Sequence, residues 1–310
     1  MNDQQLVGST SVTGCTVCNC PISTPVFVKD GFTIARCMTC RALHVSERPT
    51  DEVLLANYQN PVYFRGAEDQ GYRNYVDMRK ALLPHFKRRL RIINAHFRQR
   101  GRLLDVGCAA GYFLEIACRD GWQVAGIEPS SQIAQVASKA LHVPIALSLD
   151  TLSETEFDVI TMWDVVEHFS HPVAELRRLC GRLRPGGLLM LSTPNTGHWQ
   201  AVREPDMWTG YRPPFHLTFF TQQTLEDALR RAGLGHIGIR KVSPLPPLPS
   251  WLHRMSTPLQ HDLAVGQANV WLLTLLVWRA IRIFGWGWQL IAHPNDDIFA
   301  TLESLAFRPT

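Results

Sequence analysis

The sequence has no apolar leader. Its first residues are polar and run straight into cysteines, which argues against a secretory signal. No stretch is long and apolar enough for a bilayer span: Leu263 to Trp278 is uncharged, but its sixteen residues fall short of the ~20 a spanning helix needs. Charge of one sign is scarce as well, with a net of +4 and 19% charged residues against 45% apolar, an ordinary balance for a soluble protein. Eight cysteines without a signal exclude a disulfide framework in favour of free thiols, and so place the chain in the cytoplasm. What remains is a chain of 310 residues, long enough for a full core and more than one structural unit.

The modest net charge hides an asymmetry. Arg73 to Arg102 holds ten basic residues against the single acid Asp77, leaving 21 basic and 26 acidic residues elsewhere. Leu82, Leu83, Phe86, Leu90 and Ile93 recur there at helical spacing, so the stretch reads as an amphipathic helix with a solvated basic face. A patch for an anionic surface is the alternative.

Near the start, Cys15-x2-Cys18 and Cys37-x2-Cys40 are separated by eighteen residues. Two thiolate pairs on tight turns can give tetrahedral zinc its four sulfurs, and filling all four positions makes the metal structural. The segment between them reads as two short strands turned at Asp30-Gly31, the layout of a zinc ribbon. Cys20 is either a replacement for Cys18 or a spare thiol, the second being preferred.

The chain is organised around Arg102 to Tyr112, R-L-L-D-V-G-C-A-A-G-Y. A short apolar strand, a turn bracketed by Gly107 and Gly111, and a helical stretch make a ligand cradle: glycine admits close backbone approach, and a helix start presents free N–H groups. A second apolar strand, Trp122 to Ile127, ends at Glu128, placed to accept bonds from both hydroxyls of a ribose. Glycine is absent where Ala109 and Tyr112 stand, which excludes the G-x-G-x-x-G dinucleotide turn.

D-V-G-C-A-A-G followed by G-I-E-P-S, then F-D-V-I-T-M-W-D-V-V-E-H (Phe157 to His168), then L-R-P-G-G-L-L-M-L-S-T-P-N (Leu183 to Asn195) resembles the class I S-adenosylmethionine-dependent methyltransferases. The resemblance covers roughly Arg102 to Gly233 and departs where the family more often has glycine in place of Ala109, a mild change. It implies an α/β, doubly wound, seven-stranded Rossmann-like sheet with the last strand antiparallel. It also implies S-adenosylmethionine as cofactor. Asp105 would meet its ammonium, Gly107, Cys108, Ala109 and Gly111 its methionyl part, Glu128 its ribose, Leu149 or Asp150 its adenine, and Asp164 the rim. A zinc ribbon followed by Y-x-x-P-x-Y-F (Tyr58 to Phe64) and the core resembles a subfamily that includes bacterial sugar and natural-product methyltransferases. There the aromatic segment lies over the cofactor, making Tyr63 and Phe64 either a lid or plain packing.

Strands are expected near 103–107, 122–127, 143–147, 157–163, 187–193, His236 to Val242 and Asp297 to Glu303, with helices between. The resulting organisation is a ribbon at 1–48, a linker with the basic helix at 49–101, the core at 102–243 plus 295–310, and an insertion at 244–294. The insertion is expected to be helical. Trp271, Trp278, Trp286 and Trp288 with Arg279 and Arg282 suit a peripheral membrane contact through 263–291, or a wall of the acceptor pocket.

Methyl transfer is an in-line displacement in which placement supplies most of the acceleration. An acceptor hydroxyl also needs a base, and histidine titrates in the useful range. His216, in the proline-stiffened Pro213 to Thr221 loop that recurs in the subfamily, is the expected base. His168 is the second catalytic candidate, the alternative being a ring turned back to cap local backbone. The expected acceptor is a small molecule or glycosyl group. A retired methyltransferase fold that only binds partners is the alternative. A nucleic-acid substrate is disfavoured, because Asp164-Val-Val-Glu stands where an N-P-P-Y-like tetrad would be.

Overall fold

The computed structural model describes residues 9–11, 14–59, 79–153, 156–242, 271–292 and 295–310. The N-terminal module contains β1 (Ser9–Ser11), β2 (Ser23–Lys29), β3 (Phe32–Cys37), β4 (Leu43–Val45) and β5 (Glu47–Pro49). β2 and β3 form the expected hairpin, with Lys29 opposite Phe32. Asp30 and Gly31 both take positive φ, 48° and 83°, the backbone of the tight turn whose twist matches the strands. β4 pairs on its far side with β11 (Thr218–Phe219), so the ribbon sheet is completed by a strand from the core.

Two helices link ribbon to core: α1 (Asp51–Gln59) and α2 (Arg79–His96). α2 buries Phe86, Leu90 and Ile93, the stripe its spacing predicts. Its basic face is not all solvated. Arg89 Nε donates to Glu303 Oε1 at 2.8 Å, and Arg88 pairs with the same carboxylate.

The main sheet runs β12 (Gly235–Val242), β13 (Thr301–Phe307), β10 (Leu183–Pro194), β9 (Phe157–Trp163), β6 (Arg102–Val106), β7 (Gln123–Ile127) and β8 (Ile145–Ala146). β13 is antiparallel to both neighbours, as the resemblance implies. The chain steps outward from β6 to β8 and then returns to β9 on the other side. Such a reversal opens a crevice beyond the carboxyl ends of β6 and β9, where sheets of this kind bind ligands. The intervening helices are α3 (Tyr112–Arg119), α4 (Ser131–Leu141), α5 (Pro172–Arg182), α6 (Trp199–Arg203) and α7 (Gln222–Arg231), followed by α8 (Trp271–Ala292) in the inserted segment.

One local expectation differs, and at two further places proline–glycine and serine residues act otherwise than as a helix stop and a helix cap. The last strand starts at Thr301 rather than Asp297, whose carboxylate is held by Asn195 Nδ2, Lys241 Nζ and the Phe299 amide. Pro185 to Gly187 do not stop a helix. α5 ends at Arg182, and they lie in an irregular stretch of β10, where the register with β9 shifts between Leu183 and Leu188. Ser130 precedes α4 without a side-chain cap bond; Gln59 Oε1 accepts from the amide and hydroxyl of Ser131 instead.

Candidate active site

A cavity of about 190 Å³ opens at the sheet reversal. Asp105, in β6, and Glu128, just past β7, put carboxylates into it. Both are almost fully buried. Burial pushes each up to about 7, because a low-dielectric site disfavours the charged form. The two Glu128 oxygens accept from the amides of Ala109 at 3.1 Å and Ser130 at 2.8 Å, and each keeps a lone pair for a further donor. Thr161 Oγ1 donates to Asp105 Oδ1 at 2.7 Å. Gln59 Nε2 donates to the Pro129 carbonyl at 2.7 Å, fastening α1 across the mouth.

The turn after β6 is tight for stated reasons. Gly107 has φ +71°, and a Cβ there would meet Val165 Cγ2 at 2.6 Å. Ala109 also takes a positive φ, 46°, a conformation that costs an L-residue with a Cβ about 1–2 kcal/mol. The departure from glycine is therefore a strained one. Cys108 and Ala109 line the cavity with Gly107. Gly111, at φ +79°, does not; it lets the chain enter α3 close to Ala137 and Leu141.

Asp164 lines the cavity. Its φ of +56° reverses the chain after β9 and carries Val165 and His168 to the same cavity. Burial holds its carboxyl above the usual range, and Arg89 and a bond from Ser192 Oγ at 3.1 Å offset that only in part. Asp150, expected beside adenine, is exposed and paired with Arg178, and neither it nor Leu149 lines the cavity.

Of the two candidate histidines the second, His168, is the one that faces the cavity, and the preferred His216 does not line it. His168 lines the cavity, its Nδ1 2.9 Å from Tyr58 Oη. Burial and the nearby Arg212 pull its pKa down to about 4, so it is neutral near pH 7. His216 stands behind it, 7% exposed, with ring centroids 4.7 Å apart. Its Nδ1 donates to the Gly210 carbonyl at 2.8 Å, and burial with the neighbouring His168 holds its pKa well below the usual value. The reason lies in the loop: the Leu217 amide donates to the Glu167 carbonyl and its own carbonyl accepts from Val45, which ties the segment inward. Glu167, His168 and His216 bring ligand-type atoms within 4.8 Å of one another and could together hold a cation.

Five aromatic rings complete the cavity: Tyr58, Phe86, Phe113, Trp163 and Phe169. The Arg89 guanidinium lies 4.4 Å from the Trp163 ring centroid. Reading the sequence missed Phe86 and Trp163 as cavity residues, since the first looks like helix core and the second like a strand end. Tyr63 and Phe64 lie outside the described residues, as does 243–270.

At the ribbon, Cys15 and Cys40 Sγ are 3.5 Å apart and Cys18 and Cys37 Sγ likewise. All four sulfurs fall within 4.8 Å of one another. Zinc–sulfur bonds of ~2.3 Å in a tetrahedron put sulfurs ~3.8 Å apart, so the donor set fits zinc. Cys20 stands outside the cluster, accepting a bond from Thr39 Oγ1.

A sheet of this order with an acid-lined crevice at its reversal defines a class I S-adenosylmethionine-dependent methyltransferase fold. The family model described as "Methyltransferase domain" matches residues 75–237. That is more than half of the chain, and the chain belongs to this family. It is 36% identical over 107 residues to a ubiquinone biosynthesis O-methyltransferase of Bradyrhizobium sp. (strain ORS 278), covering 32% of this chain and 42% of the relative. The corresponding protein of Nitrobacter winogradskyi is 38% identical over 109 residues, 32% and 41% of the two chains. The match thus spans less than half the length of these relatives. Among solved structures, Haemonchus contortus phosphoethanolamine N-methyltransferase 2, in complex with phosphomonomethylethanolamine and S-adenosylhomocysteine, aligns with TM-score 0.55 at 16% identity, covering 86% of this chain and 63% of that one. An S-adenosylmethionine-dependent methyltransferase from Archaeoglobus fulgidus aligns with TM-score 0.50 at 15% identity, covering 79% and 96%. At such identities these neighbours speak for the fold alone.

Proposed function

We propose that this chain transfers a methyl group from S-adenosylmethionine to a hydroxyl of a small-molecule acceptor. The observation that carries the reading is the pair of buried carboxylates, Asp105 and Glu128, in a cavity walled by aromatic rings. Buried acids held near neutrality are costly unless a ligand supplies donors or positive charge. The bound cofactor supplies both, together with an electrophilic methyl group. Glu128 has lone pairs for two ribose hydroxyls, Asp105 faces an ammonium, and the rings favour a sulfonium by cation–π attraction. The O-methyltransferase relatives make oxygen the preferred acceptor atom.

In this reading Tyr58 and His168 form the base. The acceptor hydroxyl would pass its proton to Tyr58 Oη as Tyr58 passes its own to His168 Nδ1, so two protons each move one place, Tyr58 ends neutral and the imidazolium forms on His168. His216 positions His168 from behind and touches no reacting atom. The test is transfer of labelled methyl to a panel of phenolic, catecholic and glycosyl acceptors. We expect turnover on at least one hydroxylated acceptor, lowered by roughly 10²–10⁴-fold in His168→Ala with S-adenosylhomocysteine affinity unchanged. Normal turnover in that variant would remove the base role.

The partner reading extends to α8. No helix among the described residues is long and apolar enough to cross a membrane, yet α8 exposes Leu273, Leu276, Ile283, Phe284, Trp288 and Ile291. These recur at three- and four-residue spacing, one stripe of a helix, with the exposed Arg279 beside them. Such a stripe fits the interfacial region of a lipid surface. The side chains of Trp271, Arg282 and Trp286 lie outside the description.

A further inference from the structure

A second cavity, of about 560 Å³, lies at the seam between ribbon and core, away from the cofactor crevice. It is roughly three times as large as the crevice and shares no lining residue with it. We propose that it binds a phosphoryl group carried on a small organic ligand. This does not depend on methyl transfer.

The polar side of the cavity is built from donors. Arg36 and Arg41 reach it from the ribbon, while Thr196 and Gln223 reach it from the core. No carboxylate lines it. Among the described residues neither guanidinium forms an ion pair or donates to a cysteine sulfur, although the two arginines flank the Cys37–Cys40 knuckle. Thr196 is 4% exposed and its Oγ1 has no hydrogen-bond partner, which is costly for a buried hydroxyl without a ligand. The N-terminus of the ten-residue helix α7 faces the cavity through Thr221, Gln223 and Thr224. A capping box uses the Thr221 and Thr224 amides, so the Gln223 amide and the positive end of the helix dipole are what it adds. Two guanidiniums, a hydroxyl, an amide and a helix start offer more donors than a carboxylate can accept. A phosphoryl dianion with three oxygens matches them, and arginine's planar fork suits it.

The remaining wall is apolar. Phe27 and Tyr211 pack with ring centroids 5.0 Å apart, and both face the cavity beside Leu43. Val26 and Val202 stand 45% and 67% exposed at its rim. An inorganic ion would leave this wall wet. A ligand with an organic body attached to the phosphoryl group covers it. The anchoring is rigid, because Arg36 sits in β3 one residue before Cys37 and Arg41 one residue after Cys40.

The test uses the full zinc-loaded chain saturated with S-adenosylhomocysteine, which blocks the crevice. Calorimetric titration compares phenyl phosphate, inorganic phosphate and phenol. We expect saturable binding of phenyl phosphate, at least tenfold tighter than inorganic phosphate, and no measurable binding of phenol. Arg36→Gln with Arg41→Gln should weaken phenyl phosphate more than tenfold. Thr196→Val, which leaves the ribbon untouched, should weaken it severalfold. S-adenosylhomocysteine affinity should stay unchanged throughout. Absence of saturable binding, undiminished affinity in the variants, or inorganic phosphate binding as tightly as the ester would overturn the proposal.

Discussion

The ribbon and the seven-stranded sheet are both built from strands, but they are held by different physics. In the ribbon, β2 leaves Val26 and Val28 45% and 58% exposed, and Ile22 and Met38 stand out of the module as well. In the sheet, Leu188 to Leu191 of β10 are all fully buried, the near-continuous burial of a strand covered on both faces. The ribbon's apolar burial comes from β3 and β4, through Ile34, Ala35, Leu43 and Val45, and a zinc ion held by the four sulfurs that lie within 4.8 Å of one another would add to it. The ribbon is then expected to fail through loss of that zinc, and the sheet through its core and its buried acids.

The largest effect should come from breaking the ribbon. Zinc sites in small modules contribute on the order of 10 kcal/mol of folding free energy. Strong chelation, or Cys37→Ser, should abolish stoichiometric zinc and melt the ribbon in a separate, early calorimetric transition while the sheet's transition remains. A single transition shifted as a whole would mean that the ribbon and sheet stand or fall together through the β4–β11 pairing.

The sheet's weakness should show in its pH dependence. Asp105 and Glu128 are each pushed up to about 7, above the ~4 of an unfolded chain. Between those values the native state keeps protons that the unfolded state has released, so the two acids' contribution to stability falls as pH rises from ~4 to ~7. His168 and His216, held low by burial, contribute the opposite slope up to ~6.5. The acids' slope is therefore read by difference between native protein and variant. Asp105→Asn, which keeps an oxygen for Thr161, should remove about half of that slope and weaken cofactor binding. Melting temperatures of the cofactor-free protein across pH 5–8 check this, and an unchanged slope would mean Asp105 is ionised throughout.

Much of this contrast was legible in the sequence because its signals are local. Paired cysteines two residues apart, Asp30-Gly31 at a hairpin and D-V-G-C-A-A-G after an apolar strand each act within a few residues. The antiparallel last strand was legible through resemblance rather than pattern, and its start was misjudged because Asp297 pairs with distant Asn195 and Lys241. That His168 and not His216 lines the cavity was not legible. It depends on a left-handed Asp164 and on Leu217 bridging Glu167 and Val45, contacts that span much of the chain. Asp150 looked available because it follows β8, but Arg178 from α5 takes it. Arg88 and Arg89 read as solvated charge, while Glu303 lies more than two hundred residues away.

α8 sharpens the comparison from a third side, with apolar residues as in the sheet but exposed as in the ribbon. Ile283→Glu with Ile291→Glu should lower affinity for anionic vesicles in co-sedimentation by roughly thirtyfold or more, since each exposed aliphatic chain contributes on the order of 1–2 kcal/mol when buried in lipid. Equal co-sedimentation of variant and native protein would exclude this face from the membrane.

The account rests most on Glu128 as the ribose acceptor, and calorimetric titration with S-adenosylhomocysteine tests it directly. Losing two charge-assisted bonds in a buried site should make Glu128→Ala bind more weakly by about 2–3 kcal/mol, with the fold intact by its melting transition. Affinity equal to that of the native protein would contradict the account and move the cofactor out of this crevice.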